Sequence, residues 1–453
     1  MSGSLSSVRD ALVAAGIDTA EVAPKVERLL TMTAELTRRG HPVSGIRRWF
    51  VPGRIEVLGK HTDYAGGRTL TCAAERGFCV ASAPRTDRQV VVTDVTRSST
   101  LVSAMAPDPP AGDARWFTYA LTVIRRLSRN FPEAATGAEV LLASDLPSAS
   151  GISSSSALMV ALALVLVEVN GLETDSRWRE TIGSAEDMAA YFAALENGQG
   201  FGDLPGDRGV GTAGGSEDHT AILCSRAGAL SQYRFCPTRL ERRVPLPGDL
   251  VFVVGSSGIA ARKTGEAQAQ YNRASRASAR LLDLWRRETG RDDRSLADAL
   301  ASAPDATARA REIAAGSTDD EFGAAALVER LDHFIEESEV LVPRAGDFLA
   351  RGDMAGFGNA ADRSQRIAGE LLHNQVPETI TLANLAREHG ALAASSFGAG
   401  FGGSVWALVA RDGAREFTER WSGAYARRHP AAESRAAFFT TRPGPAAFMV
   451  ADP

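Results

Sequence analysis

The sequence predicts a mixed α/β (α+β) protein in two parts. Three observations carry that expectation. Short runs rich in β-branched residues (Ile55 to Leu58, Val90 to Val92, Val140 to Leu142, Phe252 to Val254, Val405 to Val409) alternate with helical stretches. The longest apolar run, Ala157 to Val167, opens after serines and closes at Glu168, which reads as a buried helix too short for the ~20 residues of a membrane span. A strand running into a glycine turn occurs at the start of each half, at Trp49 to Gly53 and at Phe252 to Gly255. The split falls near residue 240, so the expected domains are 1–240 and 241–453.

Residues 1–40 show helical periodicity, with Val8, Leu12, Val13 and Ala14 followed by Val26, Leu29, Leu30 and Leu36. Trp116 to Leu127 reads as a helix with Phe117, Leu121 and Ile124 on one face. A long loop dense in Gly and Asp covers 198–217. Residues 263–290 and 293–353 are rich in Ala, Glu, Arg and Leu with breaks near 304 and 316, the composition of packed helices. Ala436 to Thr440 is a further strand candidate.

The chain has 453 residues, with 50 Lys and Arg against 55 Asp and Glu, a net charge of −5. That balance argues against a basic nucleic-acid binder and against a polycationic membrane patch. Cys72, Cys79, Cys224 and Cys236 are scattered, with no C-x-x-C pair, as expected of reduced thiols in a cytoplasmic protein. Arg9, Asp10, Asp18 and Glu21 interrupt any apolar signal core. Glycine is in excess: 43 residues, about 9.5% against a usual ~7%.

Three polar constellations carry the chemistry. Residues 52–67 read Pro-Gly-Arg-Ile-Glu-Val-Leu-Gly-Lys-His-Thr-Asp-Tyr-Ala-Gly-Gly. They gather Arg54, Lys60, His61, Asp63 and Tyr64 in one loop, a set able to bond several sugar hydroxyls or equally to sit in solvent. Residues 146–158 read Leu-Pro-Ser-Ala-Ser-Gly-Ile-Ser-Ser-Ser-Ser-Ala-Leu ahead of the buried helix. Small residues there admit a ligand to the backbone, and a helix start favours an anion, although an ordinary serine-capped helix has the same pattern. Residues 395–404 read Ser-Ser-Phe-Gly-Ala-Gly-Phe-Gly-Gly-Ser before a strand, a glycine loop suited to close backbone approach.

Together the three segments resemble the GHMP kinase superfamily, and the first resembles its galactokinase branch, which carries P-G-R-x-N-x-I-G-E-H-T-D-Y-N-G-G, P-x-G-x-G-L-S-S-S-A and G-A-G-F-G-G. The resemblance spans about residues 45–445. It implies a two-domain fold with the active site between the domains, ATP and Mg2+ as cofactors, and a small-molecule sugar as the partner of ATP. Monomer and small homo-oligomer both fit. It implies that ATP lies under Pro147, Ser150, Gly151, Ser153, Ser154, Ser155 and Ser156, with Gly400 and Gly402 in the loop Gly398 to Gly403 closing the phosphate side. Asp218, in Gly214-Gly215-Ser216-Glu217-Asp218-His219, takes the place of the family base that removes a proton from the anomeric hydroxyl. Arg54 would sit beside it and stabilise phosphoryl charge. Glu196 with Ser154 or Ser155 would ligate Mg2+. His61, Asp63, Tyr64, Gly215 and Tyr271 take substrate-contact positions.

The chain departs from this pattern most at Lys60, which stands where the family has the Glu that accepts from the sugar's C6 hydroxyl. A lysine only donates, so a substrate with an anion or acceptor there, such as a uronic acid, or one lacking the hydroxymethyl group, such as a pentose, is expected. Otherwise Lys60 points to solvent or pairs with Glu56, itself in place of a family Asn. Galactokinase itself, a weakly catalytic sugar sensor, and a kinase for a non-sugar alcohol are the competing readings. Residues 198–213 look inserted relative to the family, and eight glycines in 198–215 suggest a mobile lid.

Overall fold

The structure, a computed structural model, describes residues 2–110, 114, 116–147, 151–259 and 266–450. The predicted strand-rich and helix-rich stretches assemble into two sheets, each backed by helices.

The chain opens with two helices, α1 (Ser2–Ala14) and α2 (Thr19–Arg38). The larger sheet follows, from β1 (Arg47–Leu58), β2 (Arg68–Arg85), β3 (Gln89–Asp94), β4 (Ser99–Ala104), β5 (Gly137–Ser144), β6 (Ala229–Arg234) and β7 (Arg239–Pro245). Its main path runs β1-β2-β5-β3-β4, with β6 and β7 continuing from one end of β2. The pairs are antiparallel except β3 with β5. Helices α1 and α2 lay Val8, Leu12, Val26, Leu29 and Leu36 against one sheet face. The other face carries α3 (Phe117–Asn130) and α4 (Ser154–Val169). Every residue of α4 from Ser156 to Val167 is buried, so an all-apolar helix has no solvent face to supply. Two further helices, α5 (Ser176–Thr181) and α6 (Ala185–Asn197), lead to the site, and α7 (Glu217–Cys224) packs on β1 and β2.

The second sheet is β8 (Leu250–Ser256), β9 (Ala393–Phe397), β10 (Ser404–Ala410) and β11 (Ala437–Thr441), all antiparallel in the order β11-β8-β10-β9. Between β8 and β9 lie α8 (Glu266–Thr289), α9 (Leu296–Leu300), α10 (Ala306–Ala315) and α11 (Ala324–Phe334). A π-helical turn, Ile335–Leu341, then leads into α12 (Val342–Ala350), α13 (Met354–Glu370) and α14 (Pro377–Glu388). A last helix, α15 (Ala414–Arg428), covers the second sheet through Phe417, Trp421 and Tyr425.

The expected boundary at 240 falls inside a strand, because β7 pairs with β6 as far as Pro245. The chain also returns to the first sheet after β11. Two short strands, β12 (Pro443–Gly444) and β13 (Phe448–Met449), pair with β2 and β1. The two parts of the fold are therefore interleaved in sequence. Among the described residues no helix is long and apolar enough to cross a membrane.

Candidate active site

Strand β1 delivers the central side chains. Its register against β2 slips between Pro52 and Arg54 and again between Glu56 and Leu58, leaving Arg54 to Glu56 as a regular step between two irregularities. Such slips re-aim side chains, and the two-residue period puts Arg54 and Glu56 on the same face. Both are buried, and both line one cavity with His61, Asp63, Tyr64, Glu196, Gly215, Asp218, Tyr271 and Gly398.

Arg54 is the hub. Its Nη2 lies 2.6 Å from Asp218 Oδ1, its Nε donates to Glu217 Oε2 at 3.2 Å, and its Nη1 donates to the Gly151 carbonyl at 2.6 Å. It thus ties Asp218 of α7 to the serine loop before α4. Burial alone would lower its pKa, but Asp218, Glu217 and Glu56 hold it above the usual arginine value. Asp218 Oδ2 accepts from Ser156 Oγ at 3.2 Å, and the same hydroxyl lies 2.8 Å from Glu196 Oε2. Asp218 sits in the first turn of α7, where unpaired backbone N–H groups favour a negative charge.

Glu217 is biased toward its neutral form. The Thr71 hydroxyl lies 2.9 Å from the Ile55 carbonyl and 3.0 Å from Glu217 Oε1, but it has one proton, and the carbonyl can only accept. A proton on Glu217 Oε1, donated to Thr71, completes both bonds. Its desolvated position beside Asp218 raises its carboxyl well above the ordinary range despite Arg54. Arg54's charge is then left chiefly to Asp218.

The loop after β1 is built by the polar residues singled out above. His61 Nε2 is 3.0 Å from the Ala399 carbonyl, which fixes the proton on Nε2, and Nδ1 accepts from the Tyr64 hydroxyl at 3.0 Å. Burial raises the Tyr64 phenol to about 12. Asp63 accepts from the backbone N–H of Tyr64 at 2.8 Å and of Glu217 at 3.0 Å. Gly215 is required there, since a Cβ would stand 2.3 Å from Asp63 Oδ2. The Tyr271 ring faces His61 at 5.0 Å across the cavity.

Several expected positions lie elsewhere. Lys60 is fully buried and does not line the cavity. Its ammonium donates to Ser364 at 2.7 Å and Ser395 at 2.9 Å, so it neither meets solvent nor hydrogen-bonds Glu56. Ser364 passes a hydrogen bond to Glu337, a residue of the π-helical turn that also accepts from the Gly59 and Lys60 N–H groups. Ser154 and Ser155 are half-buried, and the serine joined to Glu196 is Ser156 instead. Gly400 and Gly402 turn away from the cavity, against Asn374 and Ile259; Gly398 and Ala399 line it. Ser150 lies outside the described residues, and Pro147 is the last described residue before that gap. Ser153 caps α4, and its buried hydroxyl has no hydrogen-bond partner among the described residues. No group of three or more His, Cys, Asp or Glu able to hold a metal occurs among the described residues.

The glycine-rich segment is packed on its neighbours. Arg125 binds Asp207 at 2.6 Å, Arg126 donates to the Gln199 carbonyl, and Asn272 donates to the Gly211 carbonyl at 2.9 Å. A Cβ on Gly209 would lie 2.1 Å from the Glu196 carbonyl, so the glycine serves backbone-on-backbone contact. Asn197 pins the far end, accepting from Gly214 N–H at 3.0 Å. Sequence reasoning missed Glu56 and Glu217 as members of the site, and it gave Ser156 to ATP rather than to Glu196. Only the place of Glu56 in the first motif, and of Glu217 beside Asp218, signalled them.

Residues 40–84 match the galactokinase galactose-binding signature, 118–206 the N-terminal domain of GHMP kinases, and 347–427 the GHMP kinase C-terminal region. A galactokinase of Roseiflexus sp. is 28% identical over 397 residues, covering 87% of this chain and 92% of its own length. A galactokinase of Streptomyces coelicolor is 27% identical, covering 83% of this chain and 88% of its own. The fold is that of Lactococcus lactis galactokinase, solved with galactose (TM-score 0.74, 22% identity, 93% of this chain and 99% of that one). It is more distantly that of L. major mevalonate kinase, solved with R-mevalonate (TM-score 0.54, 14% identity, 88% and 97%). Two sheets, with the glycine loop lining the cavity and the serine loop joined to it through Arg54 and Asp218, are thus the two-domain GHMP kinase fold, and the chain belongs to the GHMP kinase superfamily. Within it, this is a galactokinase-like member, the signature falling on the very loop that builds the cavity.

Proposed function

We propose that the protein is an ATP-dependent sugar kinase that phosphorylates the anomeric hydroxyl of a neutral monosaccharide, with galactose the first candidate. The observation that carries this reading is the Arg54–Asp218 pair at 2.6 Å, set on the wall of a cavity that His61, Asp63 and Tyr271 also line.

Asp218 takes the proton from the attacking hydroxyl, while Ser156 and Arg54 hold its carboxylate in place. Arg54 also offers positive charge where the phosphoryl group transfers. ATP fits the start of α4, where free N–H groups and the unpartnered Ser153 hydroxyl can meet phosphate oxygens. Glu196 and Ser156 supply the hard oxygen donors that suit Mg2+, which, when bound, neutralises phosphate charge. Ser154 and Ser155, half-buried in the first turn of α4, remain available to the nucleotide or its metal.

The uronic acid reading loses its support with Lys60 buried against two serines. A substrate carboxylate would instead meet Glu56, Asp63, Glu217 and Asp218. The test is ADP release with galactose, arabinose and galacturonate, with the product's phosphate located by NMR. Turnover of galactose or arabinose to the 1-phosphate, lost in Asp218→Ala, is expected. Absence of sugar-dependent ADP, or turnover of galacturonate alone, overturns the reading.

A further inference from the structure

We infer that Glu56 is a specificity-determining residue, accepting a hydrogen bond from one hydroxyl of the bound sugar. The inference rests on the sugar-kinase reading above and assigns a role to a residue that the phosphoryl-transfer chemistry does not use.

Glu56 is placed by a regular step of β1 on the face that Arg54 shares, and it is one of the residues lining the cavity. The residue is only 5% exposed, and its Oε1 has no hydrogen-bond partner among the described residues. The other carboxylates of the wall are committed. Asp63 serves two backbone N–H groups, Glu217 serves Arg54 and Thr71, and Asp218 serves Arg54 and Ser156. Glu196 holds Ser156 and lies 3.3 Å from His219 Nε2.

The cations on either side of Glu56 in sequence do not complete it. Arg54 spends its donors on Glu217, Asp218 and the Gly151 carbonyl, and Lys60 gives its ammonium to Ser364 and Ser395. Both still act on Glu56 through space and draw its carboxyl toward the ionised form. A buried acceptor left open is unfavourable in the empty protein, and a ligand that brings a donor removes that penalty on binding. A sugar hydroxyl is such a donor. A sugar carboxylate is not, and Glu56 therefore selects against it. A site built to bond a hydroxyl rejects the analogue that lacks it far more strongly than an apolar pocket rejects a size change.

The experiment is a cycle between Glu56 and the sugar's hydroxyls, read with the full-length protein. Glu56→Met removes the acceptor at similar volume, and Glu56→Gln keeps one acceptor oxygen. Steady-state constants are measured for the accepted sugar and its singly deoxygenated analogues. The Met variant should raise the sugar KM about tenfold or more while leaving the ATP KM within about twofold. That penalty should vanish for one deoxy sugar only, the one lacking the hydroxyl that Glu56 receives, and the Gln variant should recover most of it. A penalty equal across all deoxy sugars, or one confined to kcat or to ATP, overturns the inference. Circular dichroism checks folding, and if the Met variant does not fold, Glu56→Ala, which removes the acceptor by shortening the side chain, carries the same deoxy series. A wild-type protein that phosphorylates no sugar overturns the sugar-kinase reading and this inference together. Turnover with a flat deoxy series overturns the role of Glu56 alone.

Discussion

At the scale of residues, one guanidinium organises the site. Arg54 faces two adjacent carboxyls of α7, and burial separates them: Glu217 is drawn toward its neutral form, while Asp218 pairs with Arg54 at 2.6 Å. Replacing Asp218 by Asn removes the proposed proton acceptor while keeping shape, so kcat should fall by about 10²–10⁴-fold with a smaller change in sugar KM. Glu217→Gln reproduces the protonation state inferred for the wild type, its amide donating to Thr71 and its oxygen accepting from Arg54. Its kcat/KM should stay within about threefold, a difference of less than 1 kcal/mol. A loss as large as that of Asp218→Asn would show that Glu217 works as an anion.

Glu56 also titrates in a useful range. Burial raises its carboxyl to about 7 from an ordinary 4.5, against the pull of Arg54 and Lys60. A carboxyl raised in the folded state is fully accommodated below its unfolded pKa, and that contribution is lost as pH rises through the folded value. Between pH 4.5 and 7 the wild type should therefore lose up to about 3 kcal/mol that Glu56→Gln does not lose. Urea unfolding of both proteins at pH 5 and pH 8 checks this. Equal pH dependence would mean that the carboxyl ionises freely in the fold.

At the scale of elements, most of the architecture is legible along the chain. The β-branched runs became β3, β5, β8 and β10, the apolar run became α4, and the Ala- and Arg-rich stretches became the helices between β8 and β9. Local pattern suffices there because each element's burial follows from its own side chains. The site was legible as motifs but not as directions. Lys60 could be found in its motif, but the serines that take its ammonium lie 304 and 335 residues away, so its orientation is a property of tertiary packing. The glycines of 198–215 failed as a mobility signal for a related reason. They serve backbone contacts between parts of one folded loop, which composition cannot separate from looseness. Gly209→Ala tests this: a Cβ driven into the Glu196 carbonyl should cost about 1–3 kcal/mol and weaken sugar binding through the displaced Gly214 and Gly215. A rise in stability would restore the picture of a loose loop.

At the scale of the whole molecule, the two sheets are stitched by the return of the chain after β11. Trp49 pairs with Met449 and Phe50 with Phe448, while Val450 N–H donates to the Arg48 carbonyl at 2.8 Å. The parts should therefore melt in one transition, and ending the chain after Thr441 should lower the Tm by about 5 °C or more. Two separate calorimetric peaks in the intact protein would argue that the stitch carries little.

The same stitch sets an order of events during synthesis. The first sheet begins near residue 47, yet β1 has no partner on its outer edge until residues 448 and 449 have been made. Until those residues are made, that edge is an open row of backbone donors and acceptors, the kind of template on which chains aggregate. Strand β11, which completes the second sheet, precedes β13 in the chain, so the outer edge of the first sheet closes last, on the strand that opened it.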